Sequence, residues 1–242
     1  MKVVILQSNY VPWRGYFDLI NTADIFCFYD DVKYTKQDWR NRNKIYSKNG
    51  LHWITIPVTR NSVKKKIIDV QILDDKWQKQ HYQSICQAYS KAPYFESILP
   101  ILNDIFIIRK WNNLSHLNRY FIKKICDYIG IMTKLVKSSD YKLIDGKINR
   151  LLDLVQQVGG NEYISGPSGR NYLRSFENNF VKKNVKLTFK SYEGYPIYKQ
   201  NKLPFENQVS IIDLLCFVSQ DKVINNISAS PVNPNGKIEK KL

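Results

Sequence analysis

The sequence has few of the residues from which metal sites and disulfide frameworks are built. Its 242 residues include only four cysteines and three histidines. The cysteines are scattered through apolar contexts without a CxxC pair, and the histidines lack a ligand spacing such as HExxH. We therefore expect reduced cysteines in the core, with neither a zinc site nor a disulfide framework.

Long apolar runs are also missing. No stretch reaches the roughly 18 apolar residues that a membrane-spanning helix needs. The N-terminus offers one lysine and a run of only four apolar residues before Gln7, which is too little for a signal peptide. The sequence therefore predicts a protein without a membrane span that stays in the cytoplasm.

Several nucleotide-binding and hydrolytic motifs are absent. Neither GxGxxG nor GxxxxGK[ST] occurs, which argues against dinucleotide-binding and P-loop chemistry. No histidine follows His116, so the Ser-Gly-Pro-Ser-Gly run at 165–169 lacks the residue order of a serine hydrolase.

Acidic residues are outnumbered, with 21 Asp and Glu against 37 Lys and Arg and a net charge of +16. This charge fits an anionic partner such as nucleic acid or nucleotide phosphates. It is equally consistent with compositional drift in a chain rich in Lys, Asn and Ile, and both explanations stay open. Hydrophobic residues make up 43% of the chain, enough for a sizeable core and hence a folded protein.

Short apolar runs alternate with helical patterns. Residues 2–6 and 25–29 predict strands, and the pattern from Pro12 to Ala23 predicts a helix between them, a unit typical of parallel strands. We expect an α/β fold with a Rossmann-like, mostly parallel sheet and a helical middle region at about 76–130. Residues 1–228 would form a single domain, followed by a loose C-terminal tail at 229–242. Further strands are predicted at 52–58, 67–72, 135–138, 162–165 and 185–191, and helices from about 76, at 95–109, 115–129 (N-cap Ser115, C-cap Gly130), 146–158, 171–179 and 211–218.

The stretch from Gln7 to Asn43 concentrates polar and aromatic residues at the predicted ends of two neighbouring strands. In open α/β sheets ligands bind at the carboxyl ends of the strands. Tyr10, Trp13 and Tyr16 would stack a base or a sugar ring, and Gln7 would hydrogen-bond it. Gly15 would allow close approach of a ligand. The alternative is that these rings belong to the upper core.

Asp30 and Asp31 stand where the second strand ends. Adjacent strand residues point to opposite faces, so one carboxylate is expected in the site. It would act as a general base toward an amine or as a magnesium ligand. The alternative is a turn or cap pair.

A cationic string, Trp39-Arg-Asn-Arg-Asn43, follows. Arginine forks bind phosphates or carboxylates at two points. The predicted substrate-binding residues here are Lys36, Arg40, Asn41, Arg42 and Asn43. The alternative is a structural loop in which the asparagines cap backbone groups.

A second loop offers another anion site. The strand predicted at 162–165 leads into Ser165, Gly166, Pro167, Ser168 and Gly169, where backbone N–H groups and the Ser165 and Ser168 hydroxyls would hold an anion. An ordinary turn is the alternative.

Four strings together resemble the WbqC-like family, which is met in bacterial surface-polysaccharide gene clusters. The resemblance covers about residues 1–218, and the first string keeps the family's Gln, Tyr, Pro-Trp, Gly-aromatic-Phe, paired Asp and Asn-Arg-Asn. It departs after Leu215, where a glycine is usual and the chain reads Cys-Phe-Val. The turn at 13–16 is also similar to the HxGH turn of adenylate-forming HUP-type proteins, although aromatic residues replace both histidines. The strings are QSNYVPWRGYFDLINTADIFCFYDDVKYTKQDWRNRN, HWITIPV, YISGPSGRNYL and VSIIDLL.

The resemblance implies a role in making O-antigen or similar glycans. The family has been linked to placing an amino-acid-derived acyl group, such as glycyl, on an amino sugar. The main hypothesis is therefore a transferase or ligase acting on a nucleotide-linked amino sugar, with the cofactor left open between ATP and an activated acyl donor such as an aminoacyl-tRNA. The alternative is a non-catalytic protein that binds tRNA or single-stranded nucleic acid through its basic surface.

Overall fold

A computed structural model describes residues 1–228, and the tail predicted at 229–242 lies outside them. The first unit is strand β1, helix α1 and strand β2, as the apolar runs predict. The bounds in chain order are β1 Lys2–Leu6, α1 Arg14–Thr22, β2 Ile25–Phe28, β3 Arg42–Ser47, β4 Gly50–Thr55, α2 Lys76–Tyr89, α3 Phe95–Asn103, α4 Leu114–Ile129, β5 Lys134–Lys137, α5 Lys147–Gln157, β6 Glu162–Ser165, α6 Arg170–Leu173, α7 Glu177–Lys182, β7 Lys186–Phe189, α8 Ile211–Phe217 and α9 Gln220–Ile227.

Five strands form one parallel sheet in the order β5-β2-β1-β6-β7. Counted along the chain within this sheet, the order is 3-2-1-4-5, which is the order of the first five strands of a Rossmann fold. The α/β, Rossmann-like prediction is confirmed. The order reverses between β1 and β6, and such a switch point opens a crevice at the carboxyl ends of those strands.

Both faces of the sheet are covered, because neighbouring side chains of a strand point to opposite sides. Val4 and Phe26 face a core built with α1, α2, α3, α4, α8 and α9. Val3 and Ile25 face a second core built with α5 and α7. The inner strands β1 and β2 are therefore apolar almost throughout, as buried parallel strands are, whereas the edge strand β5 has an exposed lysine at each end.

The strand expected at 52–58 is displaced. It runs over Gly50–Thr55 and pairs antiparallel with β3, outside the parallel sheet. The strand expected at 67–72 is wrong: Ile67–Asp69 forms a 3₁₀ turn, and Gln71 and Ile72 make only isolated bridges. The N–H groups of Ile67, Ile68 and Ile72 donate to the carbonyls of Val32, Asp30 and Asn112, not to one partner strand, so apolar composition alone does not make this segment a strand.

The helical middle region is confirmed, with differences at the ends. Helix α4 begins one residue earlier than expected, and its cap is Asn113, whose side chain accepts from the His116 N–H, rather than Ser115. Gly130 ends α4 in the left-handed conformation, as predicted. The helix expected at 171–179 is broken into α6 and α7, and α9 was not predicted.

Residues 190–209 contain no regular element, yet they are tied firmly to α1. The buried Arg14 guanidinium donates from Nε and Nη2 to Asn207 Oδ1, at 2.9 and 2.6 Å, and from Nη1 to the Pro196 carbonyl at 2.7 Å. Asp18 accepts from Lys190 Nζ at 2.7 Å and from the Tyr195 hydroxyl at 2.8 Å. These buried contacts fix the segment beside the carboxyl end of the sheet.

Candidate functional site

Two adjoining cavities lie beside the carboxyl ends of the strands, and the larger of these two is at the switch point of the sheet. It encloses about 780 Å³ and is lined by the ends of β1 and β6, the first residues of α5 and the loop 165–169. Among the described residues that line it there are three cationic side chains and no carboxylate, which makes it suited to an anion. The charged and polar lining residues are Gln7, Lys33, Lys147, Arg150, Ser165, Ser168, Tyr29, Tyr163, Tyr172 and Tyr192.

The smaller cavity, of about 380 Å³, has a different chemistry. Three aromatic rings line it, those of Trp13, Trp39 and Tyr192. The polar lining consists of the Ser168 hydroxyl and four amide side chains, Asn9, Asn43, Asn207 and Gln208. The Asn43 amide nitrogen and the Asn207 oxygen also hydrogen-bond within the protein. Rings beside amides suit a sugar, whose ring has apolar faces and whose hydroxyls both donate and accept.

Two side chains, Ser168 and Tyr192, line both cavities. The Tyr192 hydroxyl lies so close to Gly166 that a Cβ there would stand 2.8 Å from it. Trp13 meets the Tyr192 ring edge-on, with the ring centroids 4.9 Å apart. The cavities are therefore neighbours with a common wall.

Tyr192 is a hydrogen-bond donor at neutral pH. Burial raises the pKa of its hydroxyl well above the usual value, and the nearby Asp18 carboxylate raises that pKa further. Ser168 adds a second hydroxyl at the same wall.

Two of the predicted ring-stacking residues lie in the core. Tyr10 is buried, and its hydroxyl lies 2.8 Å from Nδ1 of His81. Tyr16 is buried too, and its hydroxyl donates to the Gln7 carbonyl at 3.0 Å. These rings form the floor beneath the loop, whereas Gln7 and Trp13 line the cavities as predicted site residues.

Gly15 makes room for the Trp13 ring rather than for a ligand. A Cβ at Gly15 would stand 2.2 Å from Cζ2 of Trp13, far inside any real contact. The glycine therefore allows the indole to fold over the start of α1 and reach the smaller cavity.

Gly15→Ala tests this packing. In most helices the change to alanine stabilises, but here the displaced indole should cost about 1–3 kcal/mol of unfolding free energy. Urea unfolding of the single variant and of Gly15→Ala in a Trp13→Phe background measures it. The cost should shrink in that background, and an equal cost in both would show that the indole is not the obstacle.

The two candidate catalytic aspartates are held in structural hydrogen bonds. Asp30 is buried and accepts from the Ser8 N–H and the Ser8 hydroxyl, both at 2.8 Å, and from the Ser115 hydroxyl. Asp31 accepts from the Ser138 hydroxyl. Neither aspartate is among the described residues that line the two cavities. Their proton-accepting role stays a prediction, and the geometry gives Asp30 the task of positioning the loop after β1.

The cationic string is divided between structure and surface. Arg40 hydrogen-bonds Asn9 and pairs with Asp38 at 3.3 Å. Arg42 lies over the Trp53 ring, 3.6 Å from its centroid, and Lys36 is exposed. Lys36, Arg40 and Arg42 are absent from the described residues that line the two cavities.

The two asparagines of the string join the β3–β4 hairpin to its surroundings. Asn41 Nδ2 donates to the Ile56 carbonyl at 2.9 Å. Asn43 Nδ2 donates to the carbonyls of Tyr10 and Val11, at 3.1 and 2.9 Å, and Asn43 also lines the smaller cavity. The hairpin and the loop after β1 are therefore fixed to one another.

The predicted loop residues Ser165, Gly166 and Ser168 all line the larger cavity. Several lining residues were not predicted: Lys33, Lys147, Arg150, Tyr172, Tyr192, Asn207 and Gln208. All of them except Lys33 come from parts of the chain distant from the stretch Gln7–Asn43. The sequence contains one pattern that could have indicated this cavity. Two cations three residues apart, Lys147 and Arg150, follow a glycine at the start of a helix. Such pairs are common on solvated helix faces.

The model of the WbqC-like protein family matches residues 7–225. The chain belongs to this family. A protein of Mycobacterium tuberculosis, described as "Uncharacterized protein Rv1507c", is 47% identical over 215 residues, which cover 88% of this chain and 92% of that protein. No solved structure matches the chain.

Membership of the WbqC-like family suggests a role in surface-polysaccharide biosynthesis. Within residues 1–228 of this WbqC-like protein, no helix is both long and apolar enough to cross a membrane. The same residues contain no group of three or more His, Cys, Asp or Glu side chains arranged to hold a metal ion.

Proposed function

We propose that this WbqC-like protein is a transferase that places an amino-acid-derived acyl group, such as glycyl, on a nucleotide-linked amino sugar. The observation that carries the proposal is the pair of adjoining cavities, one cationic and one lined by rings and amides. A nucleotide sugar has the same division, with an anionic diphosphate next to a neutral sugar. Family membership supports the glycan part of the proposal.

The diphosphate would lie in the larger cavity. Lys147 and Arg150 stand in the first turn of α5, where the helix dipole adds positive potential. Lys33 comes from the loop after β2, so cations from two elements converge on one space. The Ser165 and Ser168 hydroxyls would add neutral donors.

The amino sugar would lie in the smaller cavity against Trp13 and Trp39. Its amine would meet the acyl donor at the common wall of the cavities. The amine nitrogen attacks the acyl carbonyl carbon, an amide bond forms, and the bond from that carbon to the leaving group breaks. The proton lost by the amine leaves with the leaving group. The Tyr192 and Ser168 hydroxyls, which line both cavities, would donate to the carbonyl oxygen as it becomes negative.

The binding part is tested with a UDP- or dTDP-linked amino sugar by isothermal titration calorimetry. Lys147→Gln and Arg150→Gln should each weaken binding about tenfold, because each removes a charge-assisted contact to phosphate. Lys222→Gln, at an exposed lysine on α9, is the charge-matched control and should change nothing.

The transfer part is read by mass spectrometry of the sugar nucleotide after incubation with aminoacyl-tRNA, or with an amino acid and ATP. A mass gain equal to one aminoacyl group is expected. If the sugar nucleotide binds wild type and the Lys147 and Arg150 variants equally, or does not bind at all, the proposal is overturned. Steeply salt-dependent binding of nucleic acid without any binding of sugar nucleotide would favour the non-catalytic alternative.

A further inference from the structure

An exposed aromatic pair stands at the β3–β4 hairpin, with Trp53 on β4 and Trp39 in the loop before β3. The rings of Trp39 and Trp53 lie 5.6 Å apart between centroids, with a tilt of 31°. Trp39 is 37% exposed and Trp53 is 46% exposed. Indole rings of this size are normally buried in a monomer or used in binding.

Cations flank this pair. The Arg42 guanidinium lies 3.6 Å from the centroid of the Trp53 ring, and Lys44 Nζ lies 5.3 Å from the same centroid. Because Lys44 and Trp53 are direct cross-strand partners, the sheet register itself holds the charge beside the ring. We call Trp39, Trp53, Arg42 and Lys44 the hairpin platform.

The hairpin platform is continuous with the smaller cavity. Trp39 belongs to both, and its carbonyl accepts from the Tyr10 N–H at 2.9 Å. Asn118 Nδ2 holds the next residue through the Arg40 carbonyl at 2.8 Å. Hydrogen bonds on both sides therefore fix the platform at the rim of the site.

Rings with adjacent cations match one class of ligand, an unpaired nucleic-acid strand. Bases stack on the rings, and the phosphates between them meet the cations. A neutral glycan would use the rings but would leave Arg42 and Lys44 without a charged partner.

We infer that the hairpin platform binds the unpaired 3′ end of an RNA that carries the acyl group as a ribose ester. Bound there, the RNA end reaches the smaller cavity along Trp39. Amide formation then breaks the ester C–O bond, and the ribose hydroxyl leaves with the proton given up by the amine. The inference rests on the proposed function for the identity of the acceptor, but the platform itself can be tested alone.

The test uses a short RNA stem that carries no acyl group, has an unpaired 3′ extension and is labelled with fluorescein at the 5′ end. Binding of the full chain is measured by the fluorescence anisotropy of this RNA. The extended RNA should bind more tightly than the same stem with a blunt end. Trp53→Ala should weaken binding of the extended RNA about tenfold, because it removes a stacking surface. Trp53→Phe keeps a ring and should recover most of the loss, and Lys222→Gln should match wild type.

Several outcomes would overturn the inference. Equal affinity for extended and blunt RNA would show that only the general basic charge is at work. If Trp53→Ala leaves the affinity for the extended RNA unchanged, the hairpin platform is not an RNA-binding site. If Trp53→Ala weakens only the binding of the nucleotide sugar, the platform is a sugar-binding site. If the wild-type protein binds the extended RNA but not the nucleotide sugar, the proposed function alone is overturned, because Trp53 lines neither cavity of the described site.

Discussion

Replacing Arg14 by methionine should cost about 4 kcal/mol of unfolding free energy, because it removes a buried cation that several elements share. Methionine fills much of the same volume but has no donor. It leaves Asn207 Oδ1 and the Pro196 carbonyl, which Arg14 now satisfies, without that partner. It also removes the guanidinium that lies 4.7 Å from the centroid of the Tyr195 ring.

The measurement is urea unfolding of Arg14→Met beside Arg60→Met. Arg60 is exposed, so the same chemical change there should stay within about 0.5 kcal/mol. If the two variants lose equal stability, the buried network contributes nothing of its own.

Arg14→Met should also weaken sugar-nucleotide binding. Tyr192, Asn207 and Gln208 line the cavities, and all three lie in the segment 190–209 that Arg14 fastens. Calorimetry at a temperature where the variant is still folded separates this effect from global unfolding. Binding that survives intact would show that the segment keeps its place without Arg14.

Two buried groups should give opposite pH dependences of stability. Burial lowers the pKa of His81 to about 4 and raises the pKa of Asp213 to about 6. Between pH 6.5 and 4 the unfolded state binds a proton at His81 that the folded state does not, so acidification removes stability. Between pH 6 and 4 the folded state binds a proton at Asp213 that the unfolded state does not, so acidification adds stability.

Each contribution amounts to about 3 kcal/mol, because each shift is about two pKa units or slightly more. In wild type the two nearly cancel. From pH 7 to pH 4, His81→Gln should therefore gain about 3 kcal/mol relative to wild type, and Asp213→Asn should lose about as much.

Urea unfolding of the three proteins across this pH range measures both slopes. Taking differences from wild type cancels the titration of the other carboxylates. Differences that stay constant with pH would show that neither side chain has the shifted pKa.

Two strands of the parallel sheet could be predicted most directly, because each is a short apolar run that the sheet and its helices bury on both sides. β1 and β2 are such runs, and both lie where the sequence placed them. β3 was missed because Arg42–Ser47 mixes basic, amide and apolar residues, and its burial depends on pairing with β4 and on contact with α2. Sequence periodicity carries no information about a partner strand.

The loop after β1 shows the same limit within the site. Sequence places Tyr10 and Trp13 three residues apart with the same apparent chemistry. Tyr10 is buried because Trp77 and His81 of α2, some seventy positions away, close over it. Trp13 remains at a cavity because Gly15 and Tyr192 give its ring a different place. Which aromatic residue faces a ligand is decided by these tertiary contacts.

The wall that Ser168 and Tyr192 form between the two cavities has a thermodynamic consequence. In the proposed complex the sugar nucleotide fills both cavities and the acyl donor meets it at this wall, so a ligand that shifts either side chain also changes the space left for the other ligand. The affinities of the two ligands are then linked, and by reciprocity each changes the other by the same factor. An acceptor that orients the Tyr192 hydroxyl would tighten binding of the donor, so the two would bind with positive cooperativity. The donor would then bind weakly without its acceptor, and its acyl group would seldom be held in the site with only water to react with.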